Sequence, residues 1–342
     1  MASDLVLLTG ATGHIGFRAL VDALKAGYRV RAAIRSTTAV KVQKIKASPE
    51  IAALKLAPGA LTFTTVPDFL APGAFDEAVK GVKYIVHIAS PIASGTVTTD
   101  DYDAFFIQPA VRGTLSLLES AQKAGGIAKI VVTSSIVAVM PYAAIGGVEP
   151  RTRYDADSRV EFVPGPYDNN FHAYIFSKVA ALNEAEAWFR KHQPAFSLVH
   201  VHPGLVLGRD ALVNDLEELK SNGTNPWLLA AATGDAEPKI GGTVHVDDIA
   251  QLHILALQPQ ITGLKSIGGS INSDWSEMAG ILDREFPDAV KKGDFKADPG
   301  LASTVMDFDS LATEKTFGFK FQSFAEQVKS VLGHYIELSG SA

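Results

Sequence analysis

Three glycines stand near the head of the chain, in Thr9-Gly10-Ala11-Thr12-Gly13-His14-Ile15-Gly16. The apolar run Leu5–Leu8 precedes them, and the helix-like stretch Ile15–Lys25 follows at once. A strand that must turn directly into a helix needs backbone freedom, close helix–sheet packing and room for another group to approach the backbone. Glycine supplies all three. The start of the following helix offers free N–H groups and a positive dipole end, a setting that suits phosphate. On this reading Gly10, Thr12, Gly13, His14, Ile15 and Gly16 form a cradle for the pyrophosphate of a dinucleotide. The plainer alternative is a Gly-rich turn that only connects two elements, and the strand before and helix after weigh against it.

The same alternation continues along the chain. Candidate strands are Leu5–Leu8, Arg29–Ile34, Leu61–Val66, Tyr84–Ile88, Lys129–Thr133 and Phe196–Val201, several of them near-continuous Val/Ile/Leu, as expected of strands covered on both faces. Helices are expected at Ile15–Lys25, Val40–Leu54, Phe75–Lys80, Phe105–Lys123 and Tyr174–His192. This order predicts an α/β chain with a parallel, doubly wound sheet. After about Pro203 the pattern loosens into helices at Leu212–Lys220, Asp247–Leu257, Trp275–Phe286 and Ser323–Leu338, joined by loops such as Gly234–Gly242. The 342 residues then divide into a sheet domain over 1–204, which regains 243–258, and a smaller mixed α/β lobe over 205–342. No repeat or low-complexity segment is present, and the Ser-Gly-Ser-Ala tail reads as frayed.

Composition removes several classes of function. The chain has no cysteine, which excludes a disulfide framework, an iron–sulfur cluster, a Cys-zinc site and a thiolate nucleophile. A net charge of −6 argues against a nucleic-acid partner. No apolar run reaches the roughly 20 residues of a membrane span, and the N-terminus lacks the basic and apolar regions of a signal peptide. A cytoplasmic protein is expected, monomeric or homodimeric.

At the end of the second strand, where a site for NAD places an acidic residue, stands Arg29-Val-Arg-Ala-Ala-Ile-Arg35-Ser36. From Lys25 to Lys46 there are seven basic residues and no acidic one. Arg35 sits where a 2′-phosphate would lie, and a guanidinium can clamp it bidentately with Ser36 as a further donor and Lys41 and Lys44 as outer partners. This favours NADPH over NADH. Most of the lysines read equally well as a solvated helix face.

The fifth strand ends in Thr133-Ser134-Ser135, and Tyr174-Ile-Phe-Ser-Lys178 follows 39 positions after Ser135. Spacing of i,i+4 puts Tyr174 and Lys178 on one helix face. A nearby ammonium is expected to bring the phenol down toward working pH so that it can give a proton to a carbonyl oxygen. A serine hydroxyl would hold that oxygen. Ser135 is the first choice for that hydroxyl and Ser134 the alternative.

Taken in this order, TGxxGxxG, TSS and YxxxK resemble the extended short-chain dehydrogenase/reductases. The resemblance runs over nearly the whole chain and includes Asp68-Phe69, His87-Ile-Ala-Ser-Pro91, Pro203-Gly-Leu-Val-Leu-Gly208 and Val244-His-Val-Asp-Asp-Ile-Ala250. It is closest to the dihydroflavonol-4-reductase-like branch, with its fungal and yeast ketone and methylglyoxal reductases and its cinnamoyl-CoA reductases. That resemblance implies a Rossmann-type sheet, NADPH-dependent reduction of aldehydes, ketones or keto esters, and Ser135, Tyr174 and Lys178 as the catalytic set. It also implies that Lys178 bonds the nicotinamide ribose and Asp68 meets the adenine. Ala89 and Thr133 would line the cofactor channel, with Phe69, Ser90, Pro203, Leu205 and Val206 among the contacts.

Some residues depart from that pattern. Met140 stands where plant flavonoid reductases usually carry an asparagine, so a dihydroflavonol is not the obvious substrate. The Val-Tyr-Gly turn and second-strand acid of sugar-nucleotide epimerases, and the Asp-Glu pair of sugar dehydratases, are absent. A sterol or sugar-nucleotide dehydrogenase or epimerase remains the enzymatic alternative, and an NADP(H)-sensing regulator the non-enzymatic one. Substrate contacts are expected from Ser94–Phe106, Met140–Tyr142, Phe171 and Leu205–Trp227, with Phe105, Met140, Tyr142, Phe171 and Trp227 forming an apolar pocket. Each of these also reads as a core residue of the second lobe. His200 and His202 alternate along one strand and lack a third ligand, so they read as satisfied core histidines rather than a metal site. His245 reads as the polar start of a helix capped by Asp247 or Asp248.

Overall fold

Strands β1 (Leu5–Thr9), β2 (Arg29–Ile34), β3 (Leu61–Thr65), β4 (Tyr84–His87), β5 (Lys129–Thr133), β6 (Ser197–Pro203) and β7 (Leu264–Gly269) form one parallel sheet in the order β7-β6-β5-β4-β1-β2-β3. The order reverses at β1, between β4 and β2, so the ends of β1 and β4 open a crevice where ligands of such sheets bind. In this computed structural model the described residues are 4–37, 40–90, 99, 101–145, 152–234, 237, 239–298, 300–304 and 306–340. Part of the expected substrate segment (residues 94–98 and 100), part of the 234–242 loop and the last two residues of the tail lie outside them.

Alternate residues of each strand enter opposite cores. Val6, Leu8, Val30, Ala32, Val86, Val131 and Val199 pack with helix α1 (His14–Lys25) and with Ile249, Ala250 and Leu252. Leu5, Leu7, Ala33, Ile85, Ile130, Val132 and Leu198 face helix α2 (Gln108–Ala124), through Leu117 and Leu118, and helix α3 (Asn170–His192), through Ala185 and Trp188. Both faces of the central strands are buried, which is why β1 and β5 read as nearly unbroken apolar runs. Helix α4 (Val246–Leu255) carries the three residues that share a core with α1. A further core gathers Leu207, Leu228, Trp275, Met278, Phe295, Phe324 and Val331 from the later part of the chain.

Several elements differ from the sequence expectations. Val40–Leu54 is two helices, Val40–Ala47 and Pro49–Ala53, because Pro49 cannot donate into a helix and holds Ser48 extended. Ser48 instead caps the second piece, accepting from Glu50 N at 3.2 Å. Phe75–Lys80 is a set of turns bounded by Gly73 and Gly81, both at positive φ, and not a helix. α3 starts four residues before Tyr174, where the Asn169 side chain accepts from His172 N at 2.9 Å. Residues Asp103–Ile107 form a π-helical turn before α2 begins at Gln108. The strand β7 and the helices Asn225–Thr233 and Leu311–Phe317 have no counterpart in the expectations. β7 reads Leu-Lys-Ser-Ile-Gly-Gly, and its two glycines hide a strand that pairs along its whole length with β6. The cap of α4 also differs: His245 Nδ1 accepts from Asp247 N at 3.1 Å. Asp248 is drawn away by Gln322, whose N–H and amide donate to it at 2.8 and 3.1 Å. Among the described residues no helix is long and apolar enough to cross a membrane.

Candidate active site

The carboxyl ends of β1, β2, β4 and β5 frame a cleft of about 550 Å³, lined by Gly10 and Thr12, Ile34 and Arg35, Asp68 and Phe69, Ala89 and Ser90, Thr133 and Ser134, and Lys178. Gly10 has φ +77, and a Cβ there would lie 2.8 Å from Ala89 N. At Gly16 a Cβ would come within 1.9 Å of Gly10 O, so α1 can approach the turn only with glycine here. Gly13 is different. A Cβ on it would meet nothing nearer than Gly10 O at 3.5 Å, an ordinary contact, so the protein itself does not demand glycine there. Gly13 also caps α1 without a side-chain hydrogen bond, and the first turn of α1 has no acidic residue. His14 is turned toward Gly208, donating from Nε2 to its carbonyl at 3.1 Å, and Ile15 packs half-buried against the α1 core.

The basic run beyond β2 separates into distinct tasks. Arg31 donates to the carbonyls of Ala78 and Lys80 at 2.7 and 2.8 Å and ties β2 to the 73–82 turns. Lys44 pairs with Glu218 at 2.6 Å, and Lys46 lies 5.3 Å over the Phe63 ring. Arg35 is exposed in the cleft wall, with Ser36 and Lys41 exposed beyond it. Asp68 accepts from Leu70 N at 2.8 Å, and Phe69 leans on Phe75 and His87.

α3 carries Tyr174 and Lys178 on one face. Lys178 is buried, donates from Nζ to Ser90 Oγ at 2.9 Å and lies 5.6 Å from the Tyr174 ring centroid. Loss of hydration pulls its ammonium down to about 8. Burial pushes the Tyr174 phenol up to about 12, against a smaller downward pull from the Ser135 hydroxyl hydrogen-bonded to it. The downward shift expected from the ammonium does not occur in this structure, where desolvation of the phenolate dominates. Ser135, and not Ser134, meets Tyr174; Ser134 faces the cleft. Ser135 Oγ accepts from Val137 N at 3.3 Å, capping a short turn that carries the chain away from β5.

Of the expected substrate residues the structure gathers Met140 and Phe171 in one cluster with Tyr174 and leaves Phe105, Tyr142 and Trp227 exposed. Met140 is 1% exposed, in a core with Ile136, Ile175 and Met306. Phe171 is half-buried and stacks beside Tyr174 with ring centroids 6.4 Å apart, and Tyr142 stacks on His172 at 4.1 Å. Phe105 and Trp227 are exposed on separate elements. Pro203 ends β6, and Leu205 and Val206 pack in the adjoining short strand Leu205–Leu207, outside the described cleft wall.

Sequence reasoning assigned no role to two of the buried histidines around the cleft, His87 and His253. The Thr9 hydroxyl accepts from Ile88 N and Ala89 N, each at 3.1 Å, so its own proton goes to His87 Nδ1 at 2.9 Å and joins the ends of β1 and β4. His253 donates from Nδ1 to Ile249 O at 2.7 Å and takes the Thr133 proton on Nε2 at 2.6 Å. His202 is satisfied as expected, but His200 is not: it lines the cleft, and both its ring nitrogens lack a partner among the described residues. Burial lowers His87, His200 and His253 to about 4 and His202 to about 3 and keeps all four neutral at ordinary pH. The only sequence signal was position, since His87, His200 and His202 fall at or near the carboxyl ends of strands.

A family model described as the NAD dependent epimerase/dehydratase family matches residues 6–267. The chain belongs to that family. It is 41% identical to Ketoreductase CTB6 of Cercospora beticola over 99% of this chain and 96% of that protein. It is 31% identical to Ketoreductase sphI of Aspergillus fumigatus over 99% of each. The fold is similar to that of yeast methylglyoxal/isovaleraldehyde reductase Gre2, solved in complex with NADPH, with a TM-score of 0.80 at 24% identity over 99% of this chain and 100% of the other.

Proposed function

We propose that the protein reduces the carbonyl of a small aldehyde, ketone or keto ester to an alcohol at the expense of NADPH. The observation that carries this reading is the meeting of Ser135, Tyr174 and Lys178, two hydroxyls and an ammonium, at the edge of the Gly-rich cleft. Relatives named ketoreductases over almost the whole length support it.

The residues present fit the dinucleotide. The room for a Cβ at Gly13, the α1 start without a side-chain cap and the exposed Arg35 are features that packing among the described residues leaves unused. The turn Gly10–Gly16 would hold the pyrophosphate and Arg35, with Ser36 and Lys41 near it, the 2′-phosphate. Asp68 and Phe69 would meet the adenine, Ala89, Ser90 and Thr133 the middle of the cofactor, and Lys178 the nicotinamide ribose. NADPH, when bound, supplies the hydride for the carbonyl carbon.

The chain's own groups handle the oxygen. Tyr174, with its phenol near 12, is protonated at working pH and gives its proton to the forming alkoxide. Ser135, whose oxygen accepts from Val137 N, points its proton at Pro203 O over a long 3.5 Å, and would turn that proton to the substrate oxygen instead. Lys178, charged below about 8 and donating to Ser90, would give its ammonium to the nicotinamide ribose rather than to the phenol. Phe171 gives the substrate an aromatic neighbour beside that phenol.

Oxidation of NADPH, followed across a panel of diketones, keto esters, aryl ketones and aromatic aldehydes, tests the substrate class. Arg35→Ala is expected to raise the KM for NADPH about 10- to 100-fold, the worth of a charged phosphate contact, and to leave that for NADH nearly unchanged. An equal rise in both refutes the phosphate role of Arg35. Tightly retained NAD with interconversion of a sugar nucleotide would replace the reductase reading.

A further inference from the structure

Ser135 is the first residue of its segment to leave the sheet. Ser134 still donates its N–H to Val201 O at 2.7 Å, but beyond it the β5–β6 ladder stops. Two links from β6 then reach Ser135: Pro203 O accepts from its hydroxyl at a long 3.5 Å, and the His202 side chain brings Nδ1 to 3.2 Å from its carbonyl oxygen. His202 Nε2 lies 3.2 Å from Ser266 Oγ on β7, and Ser266 Oγ accepts from Arg159 Nη2 at 2.9 Å. Arg159 is in turn held by buried Glu186, whose Oε1 accepts from its Nε and Nη2 at 3.1 and 2.6 Å. The other Glu186 oxygen accepts from Arg190 at 2.8 Å.

The two ends of this chain of bonds dictate its direction. A guanidinium can only donate, so Ser266 accepts from Arg159 and passes its own proton toward His202 Nε2. A carbonyl can only accept, so the His202 proton must sit on Nδ1 and point at Ser135. Ser135 O is then gripped twice, by His202 and by Ala138 N at 3.0 Å. Every bond from Arg159 inward donates toward the serine.

We propose that His202 is a positioning residue for Ser135, held in its Nδ1–H tautomer by Ser266 and Arg159. It fixes the serine main chain where the sheet no longer does, and so aims the hydroxyl that meets Tyr174. The inference rests on Ser135 being the hydroxyl that holds the substrate oxygen.

The test compares His202→Leu, His202→Asn and Ser266→Ala in the full-length protein with NADPH and a reducible ketone. Asn keeps an N–H near the place of Nδ1, whereas Leu removes it. Misplacement of a reacting group lowers turnover steeply, so His202→Leu is expected to lose about 10- to 100-fold in kcat. NADPH affinity, read by fluorescence titration, should stay within about two-fold, because the bond grips the serine and not the cleft wall. His202→Asn should recover most of the loss, and Ser266→Ala, which frees the other tautomer, should lose about three- to ten-fold. A folded Leu variant with kcat within about two-fold of the parent overturns the proposal, as does a loss that Asn fails to restore. Should the Leu variant not fold, Ser266→Ala decides: an unchanged kcat overturns it. Ser135→Ala separates the two layers, since full activity in that variant removes the underlying role of the serine itself.

Discussion

Lys178 is buried at the cleft wall, and Ser90 is its one hydrogen-bond acceptor identified among the described residues. The charge therefore works against folding. Its pKa is near 8 in the folded chain against an ordinary 10.5, so at pH 7 both states are protonated and the full penalty is present. As pH rises from about 8 toward 10.5 the folded chain loses the proton first and the penalty fades. Lys178→Met is accordingly expected to be inactive yet more stable at pH 7, by roughly 2–3 kcal/mol before loss of the Ser90 contact is counted. Urea unfolding at pH 7 and at about pH 9.5 checks this, and the gain should shrink at the higher pH. A variant less stable than the parent at pH 7 would show that the ammonium is better solvated than its burial implies. The spacing of Tyr174 and Lys178 was legible from one helix turn. The upward shift of the phenol was not, because it depends on how deeply α3 sits against the sheet.

At the scale of the element, the Gly10–Gly16 turn separates two uses of glycine that a motif alone does not distinguish. Gly16→Ala would drive a Cβ into Gly10 O and force α1 away from the sheet, at a cost of about 3 kcal/mol or more. Gly13→Ala meets only an ordinary contact inside the protein, so it should lower stability by about 1 kcal/mol or less and show its effect on NADPH affinity. Thermal melts with and without NADPH distinguish them, and equal destabilisation by both variants contradicts the division. Elements set by local chemistry were readable from the sequence, among them the strand–turn–helix start and α1. Those set by distant partners were not. β7 is a strand because β6 offers an open edge, and Leu-Lys-Ser-Ile-Gly-Gly carries little propensity of its own. The turns at 73–82 are held in part by Arg31, which the sequence showed only as one more basic residue.

For the whole molecule, the sheet order brings the ends of β1 and β4 together and places the Gly-rich turn, Ser90 and Lys178 around one cleft, with Ser135 at its border. The large sheet was foreseeable because both its faces are buried and its strands alternate with helices. The substrate side was not, since Phe105, Met140, Tyr142 and Trp227 resemble core and surface residues equally, and the structure distributes them among both. The roles of His87 and His253 escaped notice for a related reason: each is defined by partners 4 to 120 positions away, as with His253 between Ile249 and Thr133. The account as a whole depends on the Tyr174 proton. Tyr174→Phe, assayed for NADPH oxidation with a reducible ketone and for NADPH binding, measures that dependence directly. The reductase reading predicts turnover lowered by about a thousand-fold or more with NADPH affinity nearly intact. Turnover within about ten-fold of the parent would contradict it.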